Sequence, residues 1–262
     1  MEPIHNRQNR RIKFIKKLHQ KKYRDKESLF IMEGNRCLRE LISTGYPIHT
    51  LVYASGVTDR KTMILIEVLS RQAEHTLAVT ADIMNYISPA RSSQQILGVL
   101  QQKKWTKQDF LKTDKYFLGL YSISDPGNLG TIIRSSQAFN CGGVFMIGDC
   151  VDLFNPQVVR ASAGYILDVP VIGFTSLESF FKFTGKNNFK TICMTTETDN
   201  YFLPLKDEKR LVYVFGGETM GFDENELAKF HKRQKIDMKT GVDSLNLSIT
   251  ASIVLYEFYK NQ

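Results

Sequence analysis

The chain is 262 residues long, 42% hydrophobic and 24% charged, which is ordinary globular composition and excludes a disordered protein. At a prior of roughly 150 residues per domain the length suggests two domains, and no apolar run approaches the roughly 18–20 residues of a membrane span. The formal charge of +8 is one-sided: residues 1–103 hold 17 basic and 9 acidic side chains, whereas residues 104–262 hold 18 of each.

The first residues are polar and basic and lack the apolar core of a secretory signal. An Arg-rich presequence competes with a folded helix there; the helix is the better reading, and the expected location is the cytoplasm. From Arg10 to Lys22, apolar Ile12, Phe14, Ile15 and Leu18 sit among basic residues, which predicts an amphipathic helix with a basic outer face. Residues 1–26 carry ten basic side chains, Arg10, Lys13, Lys16, Lys17, Lys21 and Lys22 among them, against Glu2 and Asp25. A field of this kind suits a polyphosphate partner, because neutralising phosphates releases condensed counterions. A solvated helix face or an anionic membrane surface is the alternative that charge alone leaves. Strands are predicted at Leu29–Met32, Ile48–Tyr53, Thr76–Val79 and Ile96–Leu100, with helices at Gly34–Thr44, ended by Gly45, and Asp59–Arg71. This alternation predicts an α/β sandwich over residues 1–103. The polar stretch that follows, from Gln101 to Asp109, shows no core face, and 104–113 reads as a linker.

Residues 114–262 continue the alternation. Strands are predicted at Tyr116–Tyr121, Val144–Ile147, Val169–Ile172, Thr191–Met194 and Leu211–Phe215. Helices are predicted at Leu129–Phe139, Pro156–Ala163 and Leu247–Lys260, the last with Ala251, Val254, Leu255 and Phe258 on one face. Strands alternating with helices argue for a mostly parallel sheet covered on both sides.

Several chemistries are excluded by spacing. Cys37, Cys141, Cys150 and Cys193 stand far apart, as do the five histidines, so no metal is expected and no local Ser-His-Asp arrangement is visible. No two glycines are separated by one residue, which removes G-x-G-x-x-G and the Rossmann dinucleotide loop. The Walker A glycine spacing occurs at Gly143/Gly148 and Gly216/Gly221, but neither pair is followed by Lys.

Three loops of the second half remain. In Ser124–Arg134, Asn128 stands where an N-cap would, and Gly130 and Arg134 are four apart, so the bare glycine would open the approach to a guanidinium suited to a phosphate. In Leu211–Gly221 a buried strand runs into a turn with three glycines and a carboxylate, Glu218. Open parallel sheets bind ligands at such carboxyl ends. In Asp243–Ala251 a polar loop feeds an apolar helix. Each loop singly is also an ordinary capped or punctuated junction.

In this order the three loops resemble the SpoU (TrmH) family of RNA ribose methyltransferases, within the SPOUT superfamily. The family's Asn-x-Gly-x-x-x-Arg matches at Asn128, Gly130 and Arg134; Gly-Asn-Glu-x-x-Gly matches at Gly216, Glu218 and Gly221; Ser-Leu-Asn-x-Ser matches at Ser244, Leu245, Asn246 and Ser248. Asn155–Gly164 also looks like the family's intervening segment, and the resemblance covers roughly residues 116–262. The stretch Leu18–Gly34 fits the opening of an L30e-like substrate-binding domain, which places the basic helix where family members engage folded RNA. Three positions depart from the pattern: Gly217 stands for the usual Asn, Asp237 for a common Pro, and Gln95 for a frequent Gly.

The resemblance implies a SPOUT-type α/β domain with a trefoil knot, a homodimer through that domain, and methyl transfer from S-adenosylmethionine to a ribose 2′-hydroxyl without a metal. It implies donor contacts at Thr196, Gly216, Ile236 and Leu245. The catalytic group it implies is Arg134, with Asn128 and Asn246 orienting it and the ribose, and Glu218 orienting the first loop. A guanidinium is a poor base, so Arg134 suits holding the neighbouring phosphate and stabilising a developing alkoxide. The implied substrate is rRNA, with tRNA the alternative within the enzymes. A noncatalytic RNA-binding or assembly factor on the same fold is the alternative of another class.

Overall fold

The computed structural model describes residues 2–90, 92–112, 116–205, 209–217 and 221–261. In chain order the first elements are α1 (Arg10–Lys17), α2 (Lys21–Glu27), β1 (Leu29–Glu33), α3 (Asn35–Thr44), β2 (Ile48–Ala54), α4 (Arg60–Ser70), β3 (Ala73–Val79), α5 (Ala81–Ile87) and β4 (Ile96–Gln101). They are followed by α6 (Lys107–Leu111), β5 (Phe117–Tyr121), α7 (Pro126–Ala138), β6 (Val144–Ile147), α8 (Pro156–Ala161), β7 (Val171–Phe174), α9 (Leu177–Lys186) and β8 (Lys190–Met194). The chain ends with β9 (Leu211–Gly216), α10 (Glu224–Leu227), β10 (Lys232–Gln234) and α11 (Leu247–Lys260).

Two units divide the chain: residues 1–103 with 152–165, and residues 104–151 with 166–262. The first holds a mixed sheet in the order β1-β4-β2-β3, in which β4 runs antiparallel to both neighbours and β2 and β3 run parallel. One face is covered by α1 and α5, whose Ile12, Ile15, Ile83 and Ile87 join Ile31, Val52, Leu77 and Val99 in one apolar core. The helix expected over Arg10–Lys22 is in fact two. Leu18 turns into the core, and the break leaves the Leu18 and His19 carbonyls without helical partners. The buried guanidinium of Arg24 donates to both, at 2.9 and 2.8 Å, and pairs with Asp152. Arg24 therefore does not belong to the basic outer face. The segment carrying Asp152 and α8, placed by sequence in the second half, packs on β1 of this unit, with Phe154 against Phe30 at 4.7 Å between ring centroids.

Among the described residues the second unit is built on six parallel strands in the order β10-β8-β9-β5-β6-β7. Burial on both sheet faces explains the nearly continuous apolar runs of β5 and β9. The expected linker over 104–113 instead contains α6, and its Phe110 is buried among Phe117, Phe145 and Phe180. Its apolar residues come only after the polar run, so periodicity gave no sign of the helix. Opposite, α7 and α11 pack together, joined by Ser135 and Ser252 at 2.7 Å between hydroxyl oxygens.

Candidate active site

The carboxyl ends of β10, β8 and β9 lie side by side, and the chain leaving them encloses a cavity of about 410 Å³. Thr196, just past β8, Gly216, the last residue of β9, Ile236, just past β10, and Leu245, just before α11, all line it. Parallel register makes this convergence unavoidable: Met194 pairs with both Gln234 and Phe215, so three exits share one rim. The Thr195 amide donates to the Gln234 carbonyl at 3.0 Å and carries that alignment one residue past the strands. Phe222 forms an apolar wall, stacked on Tyr121 at 5.3 Å. The Tyr121 hydroxyl donates to Glu226 at 3.1 Å, and burial, reinforced by that carboxylate, raises its pKa. Glu197 and Lys235 place one charge of each sign on the lining. Phe222, Glu197 and Lys235 carry no signal in the sequence that marks them; Lys235 in addition follows β10, three polar residues without strand alternation.

Gly217 follows directly. A Cβ there would stand 2.5 Å from the Ser122 carbonyl oxygen and 3.3 Å from that of Tyr121. Ser122 itself adopts a left-handed φ of 53°. The glycine is required by close backbone approach and not by its own φ. Glu218 lies outside the described residues.

The first and third loops meet through two asparagines. Asn246 is the N-cap of α11: its Oδ1 accepts from the Ser248 amide at 2.9 Å, the Ile249 amide at 3.3 Å and the Ser248 hydroxyl at 2.7 Å. Its Nδ2 donates to Asn128 Oδ1 at 3.0 Å. Asn128 is not the N-cap of α7. That place belongs to Asp125, whose carboxylate accepts the Asn128 amide at 2.6 Å, with Pro126 at the first helical position. Asn128 is left inside the first turn, buried, with its side chain turned to Asn246. Arg134 lies six residues further, about 9 Å along the axis at 1.5 Å per residue. It is exposed, has no ion pair among the described residues, and lies outside the cavity lining. Gly130 is buried, so it does not form an open approach to Arg134. Neither asparagine hydrogen-bonds Arg134 among the described residues; they hold the two helices to each other.

In the first unit, Arg10, Lys13, Lys17, Lys21 and Lys22 are exposed, while Lys16 is half-buried and burial lowers its pKa. Lys16 lies over the Tyr86 ring at 5.1 Å, beside Arg7 at 5.0 Å, and Lys17 lies over Tyr23 at 5.4 Å. Lys21 is ion-paired to Asp25 at 2.6 Å. The tyrosines were not visible as partners, since Tyr86 is on a helix that sequence reading left out.

Among the described residues no group of three or more His, Cys, Asp or Glu is placed to hold a metal ion, and no helix is long and apolar enough to cross a membrane.

Residues 115–256 match the SpoU rRNA Methylase family and residues 9–98 match the MRM3-like substrate binding domain. A Bacillus subtilis relative, 23S rRNA (guanosine(2553)-2′-O)-methyltransferase RlmP, is 24% identical over 98% of this chain and 98% of its own. A Synechocystis tRNA/rRNA methyltransferase is 24% identical over 99% of this chain and 94% of its own. Among solved structures, an rRNA methyltransferase from Sinorhizobium meliloti superposes with a TM-score of 0.85 at 25% identity, covering 99% of this chain and 98% of that one.

Proposed function

This chain belongs to the SpoU rRNA methylase family, and from that membership we propose that it methylates a ribose 2′-hydroxyl of RNA, with S-adenosylmethionine as donor and rRNA as substrate. The observation that carries the proposal is the convergence of Thr196, Gly216, Ile236 and Leu245 on one cavity. Its volume falls in the roughly 300–1,000 Å³ range of small-molecule sites. The lining also fits a donor with a flat ring system and a charged amino-acid end: Phe222, Ile236, Met238 and Leu245 supply apolar surface for the ring faces, and Glu197 and Lys235 both signs of charge. The donor supplies a methyl group on a sulfonium, which needs no metal to leave. The 2′-O assignment and the preference for rRNA draw on the Bacillus subtilis relative, whose name states both.

The chain's own part is to position an oxygen nucleophile. Arg134 is exposed and has no ion pair among the described residues, so its planar fork is available for the phosphate next to the target ribose. There it also stabilises charge developing on the 2′-oxygen. Asn128 and Asn246 fix the helix that carries it. Because Arg134 does not line its own chain's cavity, the reading includes a homodimer through this domain, with one copy's arginine serving the other's donor site. The exposed Ile249, Tyr256 and Tyr259 of α11 support such a contact.

Mapping of 2′-O-methyls at nucleotide resolution, after incubating the full chain and donor with rRNA or tRNA, tests the reading. Methylation of rRNA is expected, and Arg134→Ala should lower single-turnover transfer by about a hundredfold or more, the scale for one preorganised electrostatic group. Arg134→Lys should restore little, since an ammonium lacks the planar fork. Transfer near the wild-type rate in the Ala variant would defeat the role of Arg134. Absence of transfer with intact RNA binding would leave an RNA-binding factor.

A further inference from the structure

The first unit has a cleft that the basic outer face does not explain. It lies between the start of α1 and the first residues of β2 and β3, encloses about 260 Å³, and is lined by Arg10, Arg11, Phe14, His49, Thr50 and His75, with Ile15 and Leu77 beneath. The histidines are 26 residues apart in sequence, and the sheet brings them together. Parallel pairing sets His75 beside Thr50, and a register shift between Ile48 and Thr50 lets His49 and Thr50 both face the cleft. The two imidazoles meet edge to face at 5.8 Å between centroids, and Phe14 approaches His49 at 6.3 Å. His49 Nδ1 and the Thr50 hydroxyl are 2.9 Å apart, which fixes that ring. At the mouth, neither Arg10 nor Arg11 has a carboxylate partner among the described residues.

An apolar floor, flat unsaturated rings and two unpaired guanidiniums are three separate demands on a ligand. A bare phosphate needs only the arginines, and an apolar side chain needs only the floor. An unstacked nucleobase with its 5′ or 3′ phosphate meets all three, because bases splayed out of a strand stack on aromatic rings while arginine takes the backbone. The cleft is smaller than the roughly 300–1,000 Å³ of sites for whole small molecules, which suits one ring system held as part of a chain. We propose that this cleft seats an unpaired nucleobase of the RNA substrate, with Arg10 and Arg11 on its flanking phosphate. The proposal rests on the RNA-methylating reading and gives the first unit a preference for single-stranded or bulged segments over continuous duplex.

The test uses the full chain and two fluorescent probes: a single-stranded RNA of about twelve nucleotides, within the usual span of such sites, and an abasic strand of equal length and charge. The wild type should bind the base-bearing strand about tenfold or more tightly, the scale of one or two stacked bases. His75→Ala, an exposed position where folding is not at stake, should remove most of that preference and leave the salt dependence of both probes unchanged. Arg11→Gln should instead weaken both probes alike and lower the log–log salt slope by about 0.7. Equal wild-type affinity for the two strands, or a preference that survives both His75→Ala and His49→Ala, overturns the proposal while leaving RNA binding standing. Failure of the wild type to bind either strand also overturns the proposal, and methyl transfer to rRNA by the same protein then decides separately whether the RNA reading stands.

Discussion

Replacing Asn246 separates two jobs that one side chain performs. Its Oδ1 caps α11 through the Ser248 and Ile249 amides, and its Nδ2 holds Asn128 at 3.0 Å. Asn246→Ala removes both: a lost cap costs about 0.5–2 kcal/mol, and a side-chain hydrogen bond about 0.5–1.5 kcal/mol. The total, about 1–3.5 kcal/mol, is a large part of a typical domain's stability. Asn246→Ser keeps a good capping oxygen but is too short to reach Asn128, so it should cost only the second part. Trp105, the sole tryptophan, packs against the core of the second unit and reports its unfolding in urea. The midpoint should fall in the order wild type, Ser, Ala, without a change in slope. A double-mutant cycle with Asn128→Ala should give a coupling of about 0.5 kcal/mol or more. Since Leu245 lines the cavity one residue before the cap, donor affinity should drop further in Ala than in Ser. An unchanged midpoint in the Ala variant, or no coupling, would refute the claim that these asparagines tie α7 to α11.

Gly217→Ala should destabilise the second unit by about 1–3 kcal/mol, as overpacking does, because the Ser122 carbonyl 2.5 Å from the new Cβ is backbone. Urea unfolding that matched wild type would show that this loop moves aside freely. In salt titrations of RNA binding, Lys13→Gln and Lys17→Gln should each lower the log–log slope by roughly 0.7–0.9, whereas Lys21→Gln should lower it less, because Asp25 already neutralises that lysine. Slopes indifferent to all three would remove α1 and α2 from the RNA contact. Burial pushes Cys37 up to about 11 and Cys193 up to about 12 from an ordinary value of 9. The folded chain therefore keeps protons that the unfolded chain releases from pH 9 upward, so this stability is complete below about 9 and lost as pH rises through 11–12. Urea midpoints that held constant from pH 8 to 11, or fast native-state labelling of these thiols at pH 8, would contradict that burial.

How far the sequence could be read depended on where each signal was stored. Alternation and punctuation located most strands and the long helices, and α11 was read at its observed bounds, Leu247 to Lys260, because its apolar face and both ends are local. Burial supplied by distant elements was not local. Phe110 follows a polar run and looks like the end of a linker until the aromatic core around Phe145 is assembled. Arg24 is one of the ten basic side chains of residues 1–26, and nothing nearby marks it as buried, because its partner Asp152 lies 128 residues away. Asn128 reads as a cap in sequence, but Asp125 takes that place one turn earlier, with Pro126 opening the helix. Gln95 stands where the family often has glycine, and its φ of 63° shows the demand that glycine would meet.

The candidate site divides along the same line. Thr196 and Ile236 have no chemistry to announce them; they matter because the strands before them end in register, and only the family pattern pointed to them. What brings Thr196, Gly216 and Ile236 together is the backbone ladder of β10, β8 and β9, with Leu245 added by the turn into α11. A site held by main chain tolerates wide variation of side chains, provided the strand order and the close approaches survive. Such a site is compatible with the low identity, 24%, to two relatives that match along nearly the whole chain. It also places the greatest sensitivity at Gly217, where a single added carbon meets backbone, and at Asn246, where one side chain joins two helices.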